Sequence, residues 1–230
     1  MSNRDNLTRE NITNGIFLTG NTVIDALQTT VRKDFPFTER LLDQLEYEKR
    51  KVVLVTCHRR ENYGQPMEDI MAALAYIART HPEVSLVYPV HLSPVVQECA
   101  HRHLDGVENA HLIPPLNVEE MHNLMARCYM VMTDSGGLQE EAPALGKPVL
   151  VLRRETERPE AVKAGTARLA GVDYSRITAM AEELLENPDA YAAMAHAVNP
   201  YGDGQACRRI VDAIQWHFGQ RKEPPDEFLI

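Results

Sequence analysis

The chain has 230 residues, a formal net charge of −9 and a pI near 5.5. Such an acidic chain is poorly suited to nucleic acid or anionic lipid, so neither is expected as a partner. The sequence has no apolar run of about eighteen residues and a polar N-terminus, which predicts neither a membrane span nor a signal peptide. Four scattered cysteines without a CxxC pair predict reduced thiols in a cytoplasmic protein.

Short apolar runs alternate with helical patterns along the chain. Strands are predicted at residues 16–19, 52–56, 85–90, 110–113, 129–133, 147–152 and 167–170. Helices are predicted at residues 21–32, 67–79, 117–127, 176–186, 188–197 and 203–219. Two more are predicted without both bounds: one that ends at Arg50 and one that begins at Pro94. This alternation predicts an α/β fold, with a parallel sheet and helices on both of its faces. The tail from Gly219 is predicted to be poorly ordered.

The segment after the predicted strand at 129–133 is the most informative in the chain. Residues 133–143 read Thr-Asp-Ser-Gly-Gly-Leu-Gln-Glu-Glu-Ala-Pro. Gly136 and Gly137 allow a close approach to a ligand, and the N–H groups of the helix that begins there favour an anion. Ser135 can cap this helix or donate to a phosphate oxygen, and Glu141 can accept from a sugar hydroxyl. The alternative is a turn that does no more than cap a helix.

A second polar cluster follows the predicted strand at 52–56 and reads His58-Arg59-Arg60-Glu61-Asn62. Open α/β sheets bind ligands at the carboxyl ends of their strands. Arginine makes bidentate phosphate contacts, and histidine can donate to phosphate or transfer a proton, so the cluster suits a phosphorylated ligand. The alternative is a solvated, charge-paired loop, which is favoured for Arg60 and Glu61 taken alone.

Patterns for other chemistry are weak. No GxGxxG follows a predicted strand, so no nicotinamide cofactor is predicted. Apart from His58 and His91, the chain has seven histidines, and none of them has metal-ligand spacing with nearby acids. We therefore predict no metal site. Cys57 beside His58 could be a nucleophile, but a small residue filling space at a strand end is the favoured interpretation.

The chain resembles the C-terminal half of the non-hydrolysing UDP-N-acetylglucosamine 2-epimerases, from about Asn6 to Phe218. The matching landmarks, in order, are residues 19–27, 56–62, 89–91 with Pro94, 134–143, 153–159, 165–166 and 199–204. The family has two Rossmann-like domains facing each other across a cleft, as in B-type glycosyltransferases. It interconverts UDP-N-acetylglucosamine and UDP-N-acetylmannosamine by eliminating UDP and adding it back to the opposite face of the sugar.

The resemblance implies roles for individual residues in holding UDP. His58 would contact the diphosphate and take part in catalysis. Ser135, Gly136 and Gly137 would bind phosphate through a hydroxyl and backbone N–H groups, and Glu141 would hold the uridine ribose.

Four further positions follow from the resemblance. Arg158 would reach the nucleotide-sugar, whereas Arg59 and His91 match positions that line a second, allosteric substrate site in some bacterial members. Met121 stands where the family usually stacks an aromatic ring on uracil, and a thioether gives up part of that stacking energy, about 1 kcal/mol. The family's acid/base carboxylates belong to its N-terminal domain, and the sequence offers no pair that replaces them. Asp134, at a strand end, and Glu140, in the first turn of a helix, are predicted to have structural roles.

These observations predict the UDP-binding half of a 2-epimerase, an isomerase without a cofactor. The predicted boundaries are 1–17 for a linker or remnant of an N-terminal domain, 18–205 for the UDP-sugar-binding domain, 206–220 for a C-terminal helix and 221–230 for a tail. A separate chain carrying the N-terminal half, or a homo-oligomer, is left open as a partner. The alternatives are a glycosyltransferase-like nucleotide-sugar domain and a non-catalytic UDP-sugar-binding or regulatory module.

Overall fold

A computed structural model of the chain describes residues 2–229, which form two compact units. One unit comprises the described parts of Met1–Thr29 and Pro200–Ile230, and the other is Thr30–Asn199. The predicted functional boundaries at residues 18 and 205 stay predictions, because compactness alone does not test them.

The larger unit is built around a parallel sheet. Its strands are β1 (Lys51–Thr56), β2 (Val84–Pro89), β3 (Ala110–Ile113), β4 (Met130–Thr133), β5 (Val149–Val151) and β6 (Ala167–Leu169). The strand order is β3-β2-β1-β4-β5-β6, and every neighbouring pair is parallel. The chain starts in the middle, runs outward to β3, and then returns to β4 on the other side of β1. The position between β1 and β4 is therefore the topological switch point, where doubly wound sheets bind ligands.

The helices, in chain order, are α1 (Ser2–Arg9), α2 (Thr22–Thr30), α3 (Arg40–Gln44), α4 (Gln65–Thr80), α5 (Pro94–Leu104), α6 (Val118–Arg127), α7 (Gly136–Ala144), α8 (Pro159–Ala164), α9 (Tyr174–Glu186), α10 (Pro188–Ala195) and α11 (Ala206–His217). A single 3₁₀ turn, Arg60–Asn62, follows β1 in the described part of the chain. Among the described residues, no helix combines the length and the apolar character needed to cross a membrane.

The sheet forms where the sequence is most apolar. Residues 52–55 of β1 and all residues of β2, β4 and β5 are buried, because helices cover both faces of the sheet. In the register of β1 and β4, Val53 lies opposite Met130 and Thr56 opposite Thr133. The two strands therefore end side by side, and the polar segments that follow them enter the same region.

Most predicted elements are confirmed to within a few residues, but two differ. Residues 16–19 form no strand; in their own unit, the Leu18 carbonyl accepts one hydrogen bond, from the N–H of Phe228, at 2.7 Å. The helix predicted to end at Arg50 is only the short α3. The tail forms no helix or strand in its described part, where Asp226 accepts two hydrogen bonds of 2.9 Å from Arg208, and its poor order stays a prediction.

A capping box closes the N-terminus of α6. Asn117 caps the helix by accepting from the N–H of Glu120 at 2.9 Å, and the Glu120 carboxylate accepts from the N–H of Asn117 at 3.4 Å. Asn117→Ala is expected to lower the free energy of unfolding by about 1 kcal/mol, measured by urea denaturation, because one capping acceptor is lost. Asn117→Asp keeps the acceptor and serves as the control, and equal losses in both variants would contradict the capping assignment.

Candidate functional site

Buried hydroxyls fix the ends of the two central strands. Thr56 and Thr133 face each other across the β1–β4 pair with their Oγ1 atoms 2.6 Å apart. The Thr133 Oγ1 also accepts from the N–H of Ser135 at 2.9 Å. The turn that leaves β4 is thus anchored to the sheet before the first glycine.

Asp134 joins the segments that leave three strands. Its fully buried Oδ2 accepts from the backbone N–H groups of His58 and Arg59, both at 2.7 Å, and from the Asn62 side-chain amide at 3.2 Å. Asn62, also buried, donates further to the Leu152 carbonyl at 3.1 Å. This network agrees with the structural role predicted for Asp134, and it fixes the backbone of the histidine–arginine segment.

The second oxygen of Asp134 turns toward His58. Asp134 Oδ1 is buried and has no hydrogen-bond partner among the described residues, and it lies 3.5 Å from His58 Nδ1. A carboxylate at Nδ1 favours the tautomer with its proton there, which leaves Nε2 as the nitrogen offered to a ligand. The His58 ring stacks on that of His91, with centroids 5.2 Å apart and planes 12° apart.

The glycine turn, Ser135 with Gly136 and Gly137, opens α7. Ser135 is the N-cap residue in an extended conformation, but its side chain makes no capping bond, so the interpretation of Ser135 as a side-chain cap is wrong. A Cβ placed on Gly136 would lie 3.9 Å from an Arg59 Nη2, 4.0 Å from an Arg158 Nη2 and 4.0 Å from a Glu157 Oε2. Two guanidinium groups, one carboxylate and a helix N-terminus therefore converge on one turn, and the two arginines outweigh the carboxylate, which is an arrangement for an anion.

Acidic partners hold the arginines around the turn. Arg158 Nε pairs with Glu140, which agrees with the structural role predicted for that glutamate. Arg153 is buried and donates through Nε to Glu61 at 2.6 Å and through Nη2 to Glu157 at 3.2 Å. The Glu157 hydrogen bond and then that of Glu61 raise the pKa of Arg153. Glu61 is thus charge-paired, as the loop alternative for Arg60 and Glu61 predicts, although the sequence does not indicate that its partner is a buried arginine.

Glu141 of α7 lies near the second glycine of the turn. Its Oε1 would lie 3.7 Å from a Cβ on Gly137, and its Oε2 lies 3.6 Å from Nε2 of the buried His122. His122 Nδ1 is in turn 2.8 Å from the Thr30 hydroxyl. The sequence gives no signal for this role of His122, because its pairing with a residue 19 positions later depends on the fold.

The structure brings most predicted site residues into two connected groups. His58, Arg59 and His91 are connected through the Asp134 network and the ring stacking. The second group surrounds the start of α7 and contains Ser135, Gly136, Gly137, Glu141 and Arg158. Their roles toward a ligand stay predictions.

The structure also shows the burial of Met121 and Cys57, the two remaining residues for which the sequence suggests a role. Met121 is half-buried on α6 beside His122, and its proposed role in covering a base stays a prediction. Cys57 is fully buried, and burial followed by the charge of Asp134 raises the pKa of its thiol well above the ordinary value. This favours the space-filling role over that of a nucleophile.

The strand order, the switch-point location of the polar residues and the glycine turn define a Rossmann-like domain of the GT-B-like type. The sequence profile described as UDP-N-acetylglucosamine 2-epimerase matches residues 1–215, and the chain belongs to this family. The resemblance and the fold class predicted from the sequence are thereby confirmed.

Named relatives and solved structures agree with this assignment. The UDP-N-acetylglucosamine 2-epimerase of Bacillus subtilis is 53% identical over 226 residues, which cover 98% of this chain and 58% of that protein. The S. aureus MnaA–UDP co-structure superimposes with a TM-score of 0.91 at 40% identity, covering 98% of this chain and 61% of that one. The UDP-GlcNAc 2-epimerase from Neisseria meningitidis, bound to UDP-GlcNAc, gives 0.85 at 41% identity, covering 93% and 59%. The chain spans 60% of the length of the first curated relatives it matches.

Proposed function

We propose that the chain binds the UDP part of UDP-N-acetylglucosamine at the switch point, and that it forms the UDP-binding part of a 2-epimerase. The observation that carries this proposal is the convergence of Arg59, Arg158 and the start of α7 on Gly136. The His58 backbone is fixed to the same region by Asp134. Similar proteins whose structures contain UDP or UDP-GlcNAc support the choice of ligand.

The proposed chemistry makes UDP a leaving group. When the bond between the sugar C1 and the phosphate oxygen breaks, negative charge develops on the diphosphate. Two guanidinium groups and the N–H groups of a helix start stabilise that charge, and they are already in place before the reaction. His58 Nε2 is proposed to act at the same oxygen, and the Glu141 carboxylate to accept from the ribose hydroxyls.

The carboxylates near the site are already engaged. Asp134 accepts three hydrogen bonds through Oδ2 while its buried Oδ1 faces His58, and Glu140 pairs with Arg158. Glu141 is assigned to the ribose in this proposal. Moving the proton at the sugar C2 needs a positioned base that is not committed to another contact. We infer that this base is not supplied by the described residues of the site.

The 230-residue chain alone is therefore expected to show little or no epimerase activity. The measurement is NMR detection of UDP-N-acetylmannosamine after incubation with UDP-N-acetylglucosamine, with the Bacillus subtilis relative as the positive control. Turnover at ordinary enzymatic rates would contradict the inference and would require a base among these residues.

Nucleotide binding is expected to persist in the isolated chain, with UDP at least about tenfold tighter than uridine because hydrogen bonds to charged groups each contribute about 1.5–3 kcal/mol. Glu141→Ala is expected to weaken UDP binding by about 10- to 100-fold for the same reason. Isothermal titration calorimetry measures both affinities, and Arg154→Ala, at an exposed arginine of the neighbouring loop, is the control. Equal affinities for UDP and uridine would reject the phosphate-binding turn.

Two expectations about the cellular setting belong to the same proposal. The cytoplasmic location is supported by the four cysteines, all of which are free thiols. The partner that completes the active site is proposed to be a segment like the N-terminal part of the relatives, or a second chain that carries it. Co-purification of the tagged chain from its native cytosol tests both expectations.

A further inference from the structure

Three side chains with metal-binding atoms meet on α4 and α5, outside the proposed nucleotide site. They are Glu68 of α4 with Cys99 and His103 of α5, and one ligand atom from each lies within 4.8 Å of the other two. His103 Nε2 is 2.6 Å from Glu68 Oε2. We propose that this cluster binds a zinc ion.

The fold creates this cluster from two distant parts of the sequence. Cys99 and His103 are four residues apart on α5, so their side chains lie on the same face of the helix. Glu68 comes from the first turn of α4, which packs against α5. The sequence predicts no metal because no acid lies at ligand spacing near these histidines in the chain, and Glu68 is 35 residues from His103.

The three groups suit zinc in kind and in number. Thiolate, imidazole and carboxylate bind Zn²⁺ at about 2.3, 2.0–2.1 and 2.0–2.2 Å, which separates ligand atoms by about 3.5 Å in a tetrahedral site. Atoms already within 4.8 Å of one another need shifts of about 1 Å to reach that spacing. Cys99 is buried and would form the floor of the site, whereas Glu68 and His103 are partly exposed and can move. Water would complete the tetrahedron.

The charges of the cluster balance those of the ion. A thiolate and a carboxylate together neutralise Zn²⁺, and the Cys99 proton, with any proton on His103 Nε2, leaves to solvent. Arg102 donates to Glu68 Oε1, so it can remain an outer partner of the carboxylate while the other oxygen, Oε2, binds the ion. Its side chain is 59% exposed, which allows its charge to move away from the ion.

Protonation of the thiol sets the cost of binding. Burial, followed by the charge of Glu68, raises the pKa of the Cys99 thiol to about 11, so the thiol carries its proton in the ion-free protein. An ion must displace that proton, and the expected affinity is therefore lower than that of an all-cysteine structural zinc site.

Cobalt titration of the full chain tests the proposal. After treatment with a chelator and desalting, the protein is titrated with Co²⁺ and then with Zn²⁺. We expect one Co²⁺ per chain, with a thiolate-to-cobalt charge-transfer band in the near ultraviolet, and displacement by one equivalent of Zn²⁺. Cys99→Ala and His103→Gln are expected to abolish the band. The exposed Cys207 and His101 provide the controls, since Cys207→Ala and His101→Gln are expected to leave the titration unchanged.

Three outcomes would contradict the proposed zinc site. They are no saturable binding by the wild-type chain, a thiolate band that persists in Cys99→Ala, and a thiolate band that disappears in Cys207→Ala. Circular dichroism checks that each variant is folded. If Cys99→Ala does not fold, Glu68→Gln decides instead, because this side chain is partly exposed. It is expected to weaken Zn²⁺ binding by at least about 10- to 100-fold, the usual cost of losing even an outer partner of a metal ligand. Unchanged Zn²⁺ affinity in Glu68→Gln would reject the site. UDP affinity is expected to be the same with and without Zn²⁺, so this proposal and the nucleotide proposal can fail independently.

Discussion

Asp134→Ala is expected to lower the free energy of unfolding by about 3–5 kcal/mol and to abolish binding of UDP. The substitution leaves the N–H groups of His58 and Arg59 and the amide of Asn62 without their common acceptor. Each donor left unsatisfied in a buried position costs about 1–3 kcal/mol. The segment that carries His58 and Arg59 would no longer be fixed beside the glycine turn.

Two further variants separate this effect from a general loss of charge. Asp134→Asn keeps one acceptor oxygen, so we expect a smaller loss of stability than in the alanine variant. Asp189→Ala, at an exposed position, is the control and is expected to change stability by less than about 0.5 kcal/mol. Urea denaturation followed by circular dichroism measures all three. A loss below about 1 kcal/mol in Asp134→Ala would show that the network contributes little.

The strands and the polar edge of the sheet are the parts of the structure that the sequence predicts. The apolar runs and the glycine turn predicted the strands, the parallel sheet and the edge that carries the polar residues, because these features depend on local pattern. The position of His58 beside Asp134 follows once β1 and β4 are neighbours in the sheet. Those parts of the site are therefore predictable from short segments of the chain.

The remaining parts of the site depend on pairings between distant residues. Asn62 reaches Asp134 across 72 positions, and Arg153 pairs with Glu61 across 92. No periodicity in the sequence predicts such contacts. The wrong strand at residues 16–19 has a related cause, since a short apolar run has no fixed structure until its partners are known, and here the sheet belongs to the other unit.

His58→Asn is expected to reduce turnover strongly while leaving stability nearly unchanged. Because the chain alone is expected to be inactive, the variant is made in a chimera in which this chain replaces the matching part of the Bacillus subtilis relative, 53% identical over 226 residues. The imidazole is 37% exposed, so its removal creates no buried cavity. A histidine acting in proton transfer contributes about 10²- to 10⁴-fold, and we expect a loss of kcat in that range.

The alternative role for His58 makes the opposite forecast. If the ring serves mainly to pack against His91 and to pair with Asp134, the variant will melt at a lower temperature and keep its activity per folded molecule. His196→Asn, at an exposed position after α10, is the matched control for the substitution itself. Measuring kcat, KM and the melting temperature on the same preparations decides between the two roles. A proton-transfer role lowers kcat more than it changes KM, because the imidazole then acts on the transition state more strongly than on bound substrate.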